Sequence, residues 1–104
     1  MLLLTFGLSA NAEFRTVTRA YEIALSDLRV PGTASGSLIF KKCADCDSQV
    51  ILMSGQTQFI VNGESVGIRE FRKTVFRVRD RRWKMVVVKH HLESDTITSL
   101  RVSL

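Results

Sequence analysis

The chain is 104 residues long, 45% hydrophobic and 24% charged, with one proline. That is the size of one domain, and such a composition excludes a disordered chain. Fifteen Lys and Arg against ten Asp and Glu give a formal charge of +5 and a pI near 9.8, which favours anionic partners: nucleic acid, phospholipid head groups, acidic glycans or acidic proteins.

Residues 1–12 read MLLLTFGLSANA. The apolar run Leu2 to Leu8 followed by Ala10-Asn11-Ala12 has the form of a secretory signal peptide ending in an A-x-A cleavage pattern, with Glu13 as the first mature residue. It lacks a positively charged n-region, which an upstream start codon would supply. The competing reading is a buried N-terminal element of a cytosolic protein. The run is far shorter than the roughly 20 apolar residues that cross a bilayer, so no transmembrane segment is expected. Residues 13–104 then form a single β domain, periplasmic or secreted. Removing residues 1–12 removes no charge.

Strand signals dominate the rest of the chain. Phe14 to Leu25 is rich in β-branched and aromatic residues, and Tyr21, Ile23 and Leu25 alternate with Glu22 and Ala24. Pro31-Gly32 breaks the chain, and Thr33 to Gly36 is a loop. Ser37 to Lys42 and Gln49 to Met53 are strands joined by a hairpin connection. Gln58 to Val61 is a strand ending at Asn62-Gly63, the strongest short hairpin signal, because a type I′ turn needs positive φ at both central positions. Ser65 to Ile68 is the return strand. The period then changes: Ile68, Phe71 and Val75 fall at i, i+3 and i+7, with Arg69, Arg72 and Lys73 off that face, predicting an amphipathic helix of two to three turns. Strand propensity in Val75, Phe76 and Val78 offers Lys73 to Arg79 as a competing strand. Trp83 to Leu92 is a strand with Val86, Val88, His90 and Leu92 on one face. Glu93-Ser94-Asp95 turns the chain into a last strand, Thr96 to Leu104, where Leu100, Val102 and Leu104 alternate with Arg101 and Ser103. The expected fold is mainly β: a small antiparallel barrel or sandwich of six to seven short strands with one short helix.

The stretch Thr57-Gln58-Phe59-Ile60-Val61-Asn62-Gly63, with Val66 and Glu70-Phe71 after it, resembles a pattern in small exported bacterial domains of unknown function that are similar to OB-like barrels. The resemblance covers about fifteen residues. It implies a β-barrel in the cell envelope and carries no catalytic residue over to this chain.

Two features hold candidate chemistry. The first is Cys43 and Cys46, the only cysteines, spaced C-x-x-C between two strands. In an exported protein such a pair oxidises, giving a disulfide that pins the hairpin tip and contributes about 2 kcal/mol or less, because the closed loop is very short. A redox pair would need a depressed thiol pKa and usually a helix after the motif; here a strand succeeds it, and Lys41 and Lys42 are opposed by Asp45 and Asp47. A zinc site would need further ligands from His90 or His91, with Asp45 or Asp47 completing it. Adjacent strand residues point to opposite faces, so at most one histidine could reach without a bulge. The plainer reading makes His90 a partly buried strand residue with a hydrogen-bond partner and His91 a solvated one. No cofactor is expected unless zinc binds.

The second feature is the basic segment Arg69, Arg72, Lys73, Arg77, Arg79, Arg81, Arg82 and Lys84, opposed only by Glu70 and Asp80. It carries +6, more than the whole chain, so the positive charge is localised as a binding footprint requires. Trp83 could stack on a ring or base. The plainer reading is a solvated helix face and turn. Export directs this segment toward an anionic envelope component or an acidic protein; retention in the cytosol would direct it toward nucleic acid. The chain has no Gly-rich phosphate loop, G-x-S-x-G or H-E-x-x-H, and no enzymatic activity is expected.

Overall fold

The computed structural model describes residues 17–104. In chain order the elements are β1 (Thr18–Ala24), a 3-10 turn (Leu25–Asp27), β2 (Leu28–Arg29), β3 (Ser37–Lys41), β4 (Ser48–Leu52), β5 (Gln58–Val61), β6 (Glu64–Val66), α1 (Ile68–Phe76), β7 (Met85–His91) and β8 (Thr96–Val102). The protein is mainly β, with eight strands in one sheet and one α-helix among the described residues. Two of the eight strands, β2 and β6, are only two and three residues long. The expected signal peptide and cleavage point lie outside the described residues.

The strand order is β1-β7-β8-β4-β3-β2, with β5 and its hairpin partner β6 joining at β8. Hairpins account for β3–β4, β5–β6 and β7–β8, all antiparallel. The second edge of β8 is shared. Leu52 at the end of β4 pairs with Thr96 in parallel, and β5 continues along the same edge from Gln58↔Ser99 to Val61↔Val102, also in parallel. These two pairings depart from the purely antiparallel sheet that the hairpin signals predict. The connection between β4 and β5 is fixed there by Thr57, whose buried hydroxyl donates to the Ile97 carbonyl at 2.6 Å.

The sheet is curled. In the strand order β1 and β3 are four steps apart, which would be about 19 Å in a flat sheet. Yet the rings of Tyr21 on β1 and Phe40 on β3 lie 5.6 Å apart, and Lys42 Nζ sits 4.8 Å above the Tyr21 ring. Curling lets one face of every strand reach a common core containing Ile23, Leu38, Phe40, Ile51, Phe59, Val86, Val88, Leu100 and Val102. Helix α1 covers part of it through Phe71, whose ring is 5.4 Å from that of Phe59. Phe71 and Val75 are both buried one turn apart, which is why the helix persists to Phe76 despite the β-branched and aromatic residues there.

Local rules hold at the turns. Asn62 and Gly63 have φ of 50° and 87°, as a type I′ turn requires. In β8 the simple alternation fails. Lys89 faces Ser99 but His90 faces Ile97, leaving Thr98 as the extra residue of a bulge. The bulge turns both Ile97 and Leu100 inward, whereas Leu104 is 44% exposed beyond the strand. Trp83 and Lys84 precede β7 in a turn rather than belonging to the strand, and Leu92 comes after it.

Candidate functional site

Cys43 and Cys46 are joined as a disulfide across the tip of the β3–β4 hairpin, with Cα atoms 5.1 Å apart. The Cys46 N–H donates to the Cys43 carbonyl at 3.2 Å, so the tip is a tight turn closed by its own backbone as well as by sulfur. The tip leads into strand β4, and Cys43 is exposed. Both sulfurs are bonded to each other in this structure.

The two histidines have separate partners. His90 is buried on the inner face of β7; its Nε2 lies 2.7 Å from Asp95 Oδ1, and its shielded Nδ1 has no hydrogen-bond partner. Asp95 holds that position from a turn with φ of 54°. His91 points the other way, with Nδ1 2.9 Å from Ser94 Oγ. Lys42 over Tyr21, and Tyr21 6.3 Å from His90, bring the base of the cysteine hairpin toward this histidine. Among the described residues, however, no three of His, Cys, Asp and Glu gather as a metal site would need. Asp45 and Asp47 are exposed at the tip.

The basic segment divides into two groups. Arg69, Arg72 and Lys73 project from α1 into a groove of about 540 Å³, joined there by Arg81 from the connection to β7 and by Arg29 from β2. Its floor is apolar, with Leu25, Leu28, Val30 and Val75, and Phe76 forms part of the wall. Arg69, Arg72, Lys73 and Phe76 are at i, i+3, i+4 and i+7, a second stripe on the helix beside the buried one. Five cationic side chains therefore line one concave surface, and no carboxylate lines it among the described residues.

Arg81 differs from the other four. It is half-buried, its Nη2 donates to the Leu25 carbonyl at 3.4 Å, and its Nε is shielded from solvent without an acceptor. Its own carbonyl accepts from the Ser26 N–H at 3.3 Å, and the Lys84 carbonyl accepts from the Leu25 N–H at 2.9 Å. These bonds extend the β1–β7 ladder past Ala24↔Met85 and hold the 3-10 turn against the basic connection.

Arg77, Arg79 and Arg82 are exposed and line no part of this groove. Trp83 and Lys84 instead border a smaller hollow of about 380 Å³ with Met85, Val87, Arg101 and the carboxylate-bearing Glu22. Trp83 is 76% exposed. Arg29, Phe76 and the apolar floor are what sequence reasoning misses. The helical spacing of Phe76 is a signal that points to it; nothing local marks Arg29. Comparison with protein families, with curated sequences and with solved structures returns no match to this chain.

Proposed function

We propose that this protein is an exported envelope binding module that holds an anionic partner in the groove between α1 and the 25–30 segment. The observation that carries this reading is the single sign of charge there: Arg29, Arg69, Arg72, Lys73 and Arg81 line one groove with no opposing carboxylate among the described residues. Five like charges around one cavity repel one another, and an anion that enters relieves that repulsion while gaining several charge-assisted hydrogen bonds. The disulfide staples the hairpin tip, and the A-x-A pattern at Ala10–Ala12 supports export.

The test compares equal charge changes at different places. Heparin serves as a generic polyanion, and the salt concentration that elutes the protein is the readout. Reversing Arg69 and Arg72 to Glu lowers that concentration much further than reversing Arg77 and Arg79, which lie outside the groove. Equal losses would show that net charge alone drives retention and would sink the groove as the site. Arg81 is a poor choice for reversal, because it also holds the Leu25 carbonyl. The mass of protein recovered from cells tests the compartment: a chain beginning at Glu13 and two hydrogens light is expected, whereas retention of residues 1–12 would end the export reading and make nucleic acid the partner to pursue.

A further inference from the structure

The groove is not built for a fully hydrated anion. Leu25 and Val75 in its floor are buried core residues, Leu28 is 5% exposed, and Phe76 stands in its wall at 79% exposure, one of the two most exposed large hydrophobic side chains described. An anion site that needed only charge would gain nothing from an apolar floor, and the exposed Phe76 ring adds apolar surface beside that floor which a tail would cover. The cationic groups belong to long, flexible side chains whose apolar stems can extend the apolar surface while their charged heads stay hydrated. The volume of about 540 Å³ falls within the range of small-molecule sites, which are mostly apolar with a few polar groups that fix orientation.

We infer that the groove takes a free single-chain amphiphile: an anionic head held by Arg69, Arg72, Lys73 and Arg29, and an apolar tail laid over Leu28 and Val30 against Phe76. This rests on the anion-binding reading above and adds the tail to it. A single chain suits a volume of about 540 Å³ better than the two tails of a diacyl lipid.

Titration calorimetry separates the contributions, with every ligand below its critical micelle concentration. Dodecanoate supplies head and tail, acetate the head alone, and a dodecyl maltoside the tail without charge. Dodecanoate is expected to bind on the order of a hundredfold more tightly than acetate, as burial of a few methylenes would give, and more tightly than the maltoside. Phe76→Asp and Arg72→Glu each weaken dodecanoate binding about tenfold or more; both residues are exposed, so the fold is kept, which far-ultraviolet circular dichroism verifies. Lys89→Glu, on the outer face of β7, leaves it unchanged. Equal affinity for dodecanoate and acetate would overturn the tail while leaving the anion reading intact. Equal affinity for dodecanoate and the maltoside would overturn both. Absence of dodecanoate binding overturns this inference alone if groove-dependent heparin retention persists. Capture by phosphatidylglycerol vesicles without binding of free dodecanoate would move the site to a bilayer surface and overturn the free ligand.

Discussion

The tip of the β3–β4 hairpin and the groove beside α1 both gather chemistry-bearing side chains, and they are built in opposite ways. The tip is local: Cys43 and Cys46 are three positions apart, bonded to each other, and flanked by balanced charge in Lys41, Lys42, Asp45 and Asp47. The groove is assembled from β2, the 3-10 turn, α1 and the connection to β7, and its charge has one sign. A local cross-link secures only the few residues it encloses, whereas a groove made of distant segments exists only while the core that joins them does. The tip should therefore tolerate change with little consequence elsewhere, and the groove should report on the whole fold.

The largest effect that would test this contrast comes from Phe71→Ala. The side chain is fully buried against Phe59, and its removal should destabilise the protein by about 3–5 kcal/mol in urea unfolding. Heparin retention should fall with it, while the disulfide stays formed. An unchanged midpoint would show that α1 is not part of the cooperative unit. Arg81→Ala comes next, at about 1–2 kcal/mol, from the lost bond to the Leu25 carbonyl and the lost packing of the stem. Arg81→Met, which keeps the stem, should recover part of that loss; no recovery would assign the effect to the hydrogen bond alone. The smallest effect belongs to the tip. Cys43→Ser with Cys46→Ser should cost about 2 kcal/mol or less, since so short a loop restrains few unfolded conformations. Its heparin elution should match the parent protein, and a shifted elution would join the two regions that the structure keeps apart.

Legibility in the sequence divides along the same line. The Asn62-Gly63 turn, the inward set Val86, Val88 and His90, and the helix through Phe71 and Val75 depend on neighbours within a few positions, and periodicity reveals them. The disulfide is legible for the same reason. Ile97 is out of phase with Leu100 because a bulge at Thr98 resets the alternation, and the bulge has no signature in residue type. The parallel pairing of β5 with β8 joins segments far apart in the chain, and neither strand announces its partner. Arg29 enters the groove for that reason too: β2 is two residues long, and only its pairing with β3 places it beside α1. The basic run reads as one surface when charge is counted along the chain, whereas helical spacing and the turn after Phe76 send Arg69, Arg72 and Lys73 one way and Arg77 and Arg79 another.

The position of β8 has a bearing on how the protein acquires its shape. Its neighbours β7, β4 and β5 are all made before it, and it is the strand that links the β1–β7 pair to the rest of the sheet. Until Thr96–Val102 docks, the β3–β4 and β5–β6 hairpins have no common partner, and the hydrophobic sides of Phe59 and Ile51 lack the strand that joins them to the rest of the sheet. Closing the sheet therefore waits on its last strand and is dominated by contacts between residues distant in the chain, which slows folding and leaves apolar strands uncovered meanwhile.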